Sequence, residues 1–142
     1  MILFDVNVLI YAHRQDADEH KRHEEFLLKV ISGDEPFAVP DIVLSGFLRI
    51  VTHPRIFSAT TPIEVALSFV DDIRSADNFL SINPGRRHWE IFTSLCRKAG
   101  ARGNLIPDAY LAAICIESGC ELVTTDREFS RFPGLKWHHP FK

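Results

Sequence analysis

The chain has 142 residues, of which 46% are hydrophobic and 25% are charged, and its formal net charge is −3. This length fits a single domain over residues 1–142, and the hydrophobic content supports a sizeable core, which excludes extended disorder. The slightly acidic balance excludes nucleic-acid binding through bulk positive charge, so any such binding requires a local basic patch.

The compartment is predicted from what the sequence lacks. No apolar run approaches the ~18 residues of a membrane-spanning helix, and the first apolar segment ends at Asp5, too early for a signal peptide. Cys96, Cys115 and Cys120 form no Cys-x-x-Cys pair, so we interpret them as reduced, buried thiols. We therefore expect a cytoplasmic protein without a membrane segment.

The predicted elements alternate between strands and helices. In chain order they are a strand at 2–5, helices at 7–12 and 18–32, a strand at 37–39, helices at 41–53 and 62–74, a strand at 79–82, a helix from 86 to about 99, a helix from 108, and strands at 121–125 and 135–137. Thr61 is the expected N-cap of the fourth helix, with Pro62 as its first residue. The alternation predicts an α/β fold with a parallel sheet covered on both faces.

Three aspartates lie at predicted positions where open α/β sheets bind their ligands. Asp5 and Asp126 end two predicted strands, and Asp108 begins the helix that leads into the second of them. Ligands bind outside the carboxyl ends of such strands. Each aspartate alone has the properties of a turn or capping residue. Carboxylates gathered without lysine partners repel one another, and a divalent cation relieves that repulsion, so a shared metal site acting on a phosphate is favoured.

Four segments resemble motifs of the PIN-domain family. They are Asp5-Val6-Asn7-Val8-Leu9-Ile10, the helix around Val43-Leu44-Ser45-Gly46-Phe47-Leu48-Arg49, Pro107-Asp108-Ala109-Tyr110-Leu111-Ala112-Ala113, and Thr124-Thr125-Asp126-Arg127-Glu128-Phe129. The second segment is similar to a helix of VapC-type toxins from bacterial toxin–antitoxin pairs. The resemblance extends from Met1 to Trp137, with the motifs in order and at matching spacing.

This resemblance implies a three-layer α/β/α fold with a central, mainly parallel sheet, and a metal-dependent endoribonuclease that acts as a toxin. It implies that Asp5, Asp108 and Asp126 are catalytic metal ligands, with Asn7 in support. Mg²⁺ is the expected ion, with Mn²⁺ able to substitute, because hard cations prefer carboxylate and water oxygens. RNA as substrate, a cognate antitoxin and a homodimer are implied in the same way.

The chain departs from the family pattern at one acidic position. A glutamate is usual on the third predicted helix, in a Glu-x-x-Arg setting, but Gly46 stands there. Ser45 offers a supporting hydroxyl, and we interpret Asp41 as an N-cap. The departure leaves open a weak or inert PIN module that binds RNA or an antitoxin. A phosphatase related to haloacid dehalogenases is disfavoured because Asn7 replaces its second acid.

Three arginines are the candidate substrate-binding residues. Arg49 is expected at the rim of the site, and Arg86 and Arg87 open a helix whose amides could hold a phosphate. The alternatives are a surface ion pair for Arg49 and a solvated helix start with Trp89 packed inward. The loop 102–104 is an RNA contact or an ordinary loop.

Histidines, which are common zinc ligands, form two further clusters in the sequence. His13, His20 and His23 lie among charged residues, and His138 and His139 lie near the end of the chain. We interpret both clusters as solvated faces rather than metal sites.

Overall fold

In the computed structural model, which describes residues 1–142, five strands form one wholly parallel sheet. The strands are β1 (Ile2–Phe4), β2 (Phe37–Ala38), β3 (Phe79–Leu80), β4 (Glu121–Val123) and β5 (Trp137–His138), in the spatial order β3-β2-β1-β4-β5. Ile2 aligns with Phe37 on one side and with Glu121 on the other. The predicted α/β class with a mainly parallel sheet is confirmed.

Six helices cover this sheet. They are α1 (Val6–His13), α2 (His20–Ile31), α3 (Asp41–Val51), α4 (Ile63–Arg74), α5 (His88–Ala99) and α6 (Leu105–Ser118), and a 3₁₀ turn follows at Arg127–Arg131. Because crossovers between parallel strands are right-handed, α1 to α4 cover one face and α5 and α6 the other, which gives three layers. The strand order reverses between β1 and β4, so their carboxyl ends form the switch point where ligands bind in such sheets.

Two predicted N-caps and one predicted helix start were wrong. Thr61 does not cap α4, because Pro62 is the N-cap residue and the Thr61 hydroxyl bonds to His13 Nε2 at 3.1 Å. Asp41 is the first residue of α3 rather than its cap, and its carboxylate lies 3.4 Å from Arg74. Helix α6 begins at Leu105, since Pro107 in the first turn interrupts no backbone bond.

The histidines were also assigned to the wrong environment. His23 is only 3% exposed and lies between the rings of Tyr11 and Phe141, with centroids at 5.0 and 4.6 Å. His13 packs against Phe47 and Phe69. The amphipathic α2 turns its charged residues outward and His23 inward, which composition alone could not decide.

The hydrophobic core is a single cluster of 29 buried residues between the sheet and the helices. All three cysteines are unpaired, and Cys115 and Cys120 are buried, as expected. None of the helices combines the length and the apolar character that crossing a bilayer would demand.

Candidate active site

Asp5 anchors the site at the carboxyl end of β1. Its extended backbone, with ψ of 158°, ends the strand and caps α1, and its Oδ1 accepts the Val6 amide at 2.7 Å. Its Oδ2 accepts the Thr124 hydroxyl, also at 2.7 Å, and the residue is 6% exposed. The carboxylate is therefore held in one orientation by a strand end, a helix start and the neighbouring strand.

Thr124 is a site residue to which the sequence assigned no role. It is fully buried, donates its hydroxyl to Asp5 and accepts the Asp126 amide at 3.0 Å. It thus couples the end of β1 to the end of β4. Its place in the Thr-Thr-Asp motif was the only sequence signal, because the motif does not reveal which threonine faces inward.

Asp126 begins the 3₁₀ turn after β4. Its Oδ1 accepts the Glu128 amide at 2.9 Å, so the capping role considered for this residue is present. The second oxygen stays available, and the Asp126 charge raises the pKa of both Asp5 and Asp108. Asp126 can therefore cap the 3₁₀ turn and belong to the aspartate cluster at the same time.

Burial and neighbouring negative charge raise the pKa of two of the aspartates, Asp5 and Asp108. Burial raises the pKa of Asp5, and the nearby Asp126 adds to this, although hydrogen bonds from Thr124 and Val6 oppose it. Burial also raises the pKa of Asp108 to about 6, and the charges of Asp5 and Asp126 contribute. None of the ion pairs in the structure involves these aspartates. The cluster therefore concentrates negative charge that no cation of the protein neutralises.

One cavity of about 300 Å³ joins Asp5 and Asp108 to the helix α3. Ser45, Gly46 and Arg49 line it from α3. A Cβ added at Gly46 would meet only the Val6 Cγ2 atom, at 3.8 Å. Gly46, where the resemblance led us to expect a glutamate, thus lines the same cavity as Asp5 and Asp108 with open space for a side chain, and α3 does contribute to the site.

The donor set fits a hard divalent cation. No three His, Cys, Asp or Glu side chains stand close enough to form a three-ligand metal centre. Mg²⁺, however, binds proteins through one or two carboxylates and keeps several waters. Two partly or fully buried carboxylates that share a cavity and lack a cationic partner meet that requirement, with Asp126 near enough to act on both.

Asn7, Arg86 and Arg87 are not brought into this cavity. Asn7 lies in the first turn of α1 and does not line it. The amides of Gly85 and Arg87 bind the Glu117 carboxylate, at the far end of α6 from Asp108. Glu117 lies nine positions further along α6 than Asp108, a rise of about 13.5 Å.

The start of α5 also differs from the expected packing. Trp89 is 66% exposed, and His88 is the buried residue, bonded to the Tyr110 carbonyl at 2.9 Å. The predicted inward Trp89 was wrong, and α5 begins at His88, two residues after the predicted start at 86. The amides that were expected to hold a phosphate already hold Glu117.

Fold and site together define an α/β protein with a carboxylate cluster at the switch point of a parallel sheet. Residues 2–135 match the family model described as PIN domain. The chain belongs to the PIN-domain family and, by its curated relatives, to the VapC group within it.

Two curated relatives from Mycobacterium tuberculosis illustrate this kinship. Ribonuclease VapC43 is 42% identical over 99% of this chain and 95% of its own length. Ribonuclease VapC25 is 40% identical over 99% of both chains.

Solved structures show the same fold. VapBC2 from Rickettsia felis, bound to a fragment of its promoter DNA, aligns with a TM-score of 0.69 over 98% of both chains at 24% identity. VapC20 from Mycobacterium tuberculosis, a toxin that cleaves the sarcin–ricin loop, aligns with a TM-score of 0.67 over 95% of this chain and 98% of its own at 13% identity.

Proposed function

We propose that this protein is a divalent-metal-dependent endoribonuclease, the toxin of a toxin–antitoxin pair. The observation that carries the proposal is the pair of uncompensated carboxylates, Asp5 and Asp108, in one cavity at the sheet switch point. Full-length relatives at 40–42% identity that carry the name ribonuclease support the same activity.

The aspartates have separate tasks in this proposal. Asp5 and Asp108 would hold Mg²⁺ or Mn²⁺, and Asp126 would complete the set of ligands or bind water next to them. The cation supplies positive charge to the scissile phosphodiester and lowers the pKa of a water nucleophile. Thr124 helps to keep Asp5 in its orientation, because its hydroxyl donates to Oδ2 while the Val6 amide donates to Oδ1.

In this proposal, residues of α3 contact the phosphate groups of the substrate. Arg49 lines the same cavity as the carboxylates and takes part in none of the ion pairs of the structure, so its guanidinium is free to contact a phosphate. Ser45 offers a hydroxyl to water or to a phosphate oxygen. Asn7, Arg86 and Arg87 do not line this cavity. Asn7 remains a supporting residue in the proposal, two positions from Asp5, and the two arginines remain candidates for RNA that extends beyond the cavity.

Cleavage of RNA tests the proposal directly. Purified protein is incubated with structured RNA in Mg²⁺, in Mn²⁺ and in EDTA, beside the Asp5→Ala variant. We expect cleavage only with metal, and its loss in the variant. Metal-independent cleavage, or equal activity of Asp5→Ala, would show that another activity or a contaminant is responsible.

An inert module that binds RNA or an antitoxin is the second candidate, favoured by Gly46 in place of an acid. It predicts RNA binding without cleavage across several RNAs and in both metals. The same incubation, read by gel shift as well as by product formation, separates the two candidates.

The partners follow from the toxin proposal. Several proteins of this fold were solved as VapBC complexes, and we infer a cognate antitoxin and a homodimer for this chain. Expression of the chain alone should arrest bacterial growth, Asp5→Ala should not, and light scattering of the purified protein should give twice the mass of one chain.

A further inference from the structure

The most exposed large apolar side chain of the protein lies on the outer face of α5. Trp89 is 66% exposed, whereas the preceding residue, His88, is buried. The Trp89 ring meets the Phe92 ring edge to face, with centroids 5.4 Å apart, and Phe92 packs on Tyr110 of α6 at 5.3 Å. Trp89 is therefore held against an aromatic cluster of the α5–α6 pair while most of its surface is open to solvent.

Positive charge is concentrated around Trp89. Residues 86–102 contain five of the 16 basic residues of the chain and one of its 19 acidic residues, Glu90. The formal charge of this segment is therefore +4, whereas the chain as a whole carries −3. A local basic patch of this kind is what an acidic protein requires in order to bind a polyanion.

The five basic side chains are not used by the fold. Arg86, Arg87, Arg97, Lys98 and Arg102 are all exposed, and none of them takes part in an ion pair. Two of them lie in the last turn of α5, where positive charge favours the helix dipole. That contribution leaves their charged groups in solvent, where an external anion can bind them.

Trp89 and Arg97 lie on the same side of α5. They are eight positions apart, which corresponds to a rotation of about 80° and a rise of about 12 Å. Arg102 follows in the connection between α5 and α6. We call these three residues the α5 surface. It combines one open aromatic ring with two unpaired guanidinium groups.

The α5 surface leads towards the aspartate site. Helices α5 and α6 are antiparallel, because Glu117 near the end of α6 binds amides at the start of α5, and five residues join the end of α5 to α6. Within that connection the Arg102 carbonyl accepts the Leu105 amide at 3.2 Å. Pro107 and Asp108, which follow in the first turn of α6, line the aspartate cavity. Arg102 is therefore at the same end of the helix pair as Asp108.

We propose that the α5 surface binds single-stranded RNA outside the aspartate cavity, with a base stacked on Trp89 and phosphates bound by Arg97 and Arg102. Aromatic rings beside cations bind single strands because every base has a face that stacks and every nucleotide carries a phosphate. The charges alone also fit an acidic protein, but the open indole ring favours RNA. This inference rests on the proposed ribonuclease function and adds a second contact surface for its substrate.

Binding is measured without cleavage, on the Asp5→Asn protein in EDTA, from the anisotropy of a labelled single-stranded RNA of about 10 nucleotides. Trp89→Ala should weaken binding about tenfold, and Trp89→Phe, which retains a ring, should restore most of the affinity. Leu28→Ala removes another exposed apolar side chain, on α2, and should leave the affinity unchanged. If Trp89→Ala binds RNA like the parent protein, the stacking contact is absent and the proposal fails.

The salt dependence of binding isolates the phosphate contacts. Replacing Arg97 and Arg102 together by glutamine should reduce the slope of log affinity against log salt by about 1.4, since each phosphate contact of a single strand contributes about 0.7. Replacing the exposed Lys21 and Lys29 of α2 by glutamine removes the same charge and should keep the slope. Equal changes in the two double variants would show that net charge alone acts, and would overturn the surface.

Tryptophan fluorescence distinguishes RNA from other occupants. Trp137→Phe leaves Trp89 as the single tryptophan, and RNA should quench its emission by stacking, whereas oligoglutamate should not. Equal quenching by oligoglutamate assigns the α5 surface to an acidic protein partner and overturns the proposal. Light scattering of Trp89→Ala provides a further check, because a halved mass would place Trp89 between two copies of the chain and would also overturn it.

Cleavage separates this inference from the proposed function. Trp89→Ala should raise the KM for RNA about tenfold with little change in kcat, because the α5 surface lies outside the reacting cavity. An unchanged KM together with unchanged RNA affinity sinks the surface while the ribonuclease stands. RNA binding that depends on Trp89, with no cleavage of any RNA in either metal, retains the surface and rejects the ribonuclease.

Discussion

Two carboxylates of this molecule accept backbone amides at a helix start, with opposite consequences. Glu117 is near the surface and binds the amides of Gly85 and Arg87 at 2.7 and 2.9 Å, and the Gly85 bond leads the lowering of its pKa. Asp5 binds the Val6 amide at 2.7 Å, but burial raises its pKa. The protein's own groups stabilise the ionised form of Glu117. They do not compensate the negative charge of ionised Asp5, which a bound cation would stabilise.

The difference between Asp5 and Glu117 shows which property separates a structural carboxylate from a functional one. Both are held by hydrogen bonds, so hydrogen bonding alone does not distinguish them. The sign of the neighbouring charges distinguishes them. Asp5 lies near the carboxylates of Asp108 and Asp126, whereas the charges of Arg87 and His88 favour the ionised form of Glu117. The predictions below probe that contrast.

The largest effect is expected from Asp5→Asn. The amide keeps the shape of the side chain but removes the charge that holds metal, so RNA cleavage should fall at least about 100-fold. Metal-free stability in urea should stay the same or rise, because a buried charge is lost. A variant that unfolds in the absence of metal would show that the charge of Asp5 is structural.

Thr124→Val tests the coupling between β1 and β4. The change removes the hydroxyl that binds Asp5 and the acceptor for the Asp126 amide, so cleavage should fall about 10- to 100-fold. Thr124→Ser keeps the hydroxyl and should restore most activity. If valine and serine behave alike in an initial-rate assay, the hydroxyl does not position Asp5.

Gly46→Glu should strengthen the site. The Cβ position is open, and the new carboxylate would face the cavity that contains Asp5 and Asp108. We expect the Mn²⁺ concentration for half-maximal cleavage to fall about tenfold. Gly46→Gln gains the same helix propensity without charge and should leave that concentration unchanged.

Metal-free stability should depend on pH through Asp108. Its folded-state pKa of about 6 lies above the ordinary 3.8, so the folded state holds the proton more tightly. That contribution to stability is complete below about pH 3.8 and is lost as pH rises through 6. Asp108→Asn should therefore gain stability relative to the parent between pH 4 and pH 7 in urea titrations with EDTA. An unchanging difference would contradict the raised pKa.

The smallest effect is expected from Glu117→Ala. Two amides at the start of α5 lose their acceptor, which should cost about 1 kcal/mol of unfolding free energy. Cleavage of RNA should stay within about twofold of the parent. A large loss of activity would give Glu117 itself a role in catalysis.

The sequence predicted the elements of the fold better than their ends. Alternating apolar strands and helices led to the parallel sheet, because period and length are local properties. The N-caps of α3 and α4 and the start of α6 were misplaced, since proline at the N-cap or in the first turn, as at Pro62 and Pro107, obeys rules that several registers satisfy.

By itself, the sequence determined the α/β class, the three aspartates and the open position at Gly46. Only the tertiary structure decided that Thr124 joins Asp5 to Asp126, that Glu117 occupies the amides before α5, and that His23 is buried. These are contacts between segments distant in the chain, as in the pair Asp5 and Thr124. Residue type and spacing cannot specify them, because they depend on which helix packs on which strand.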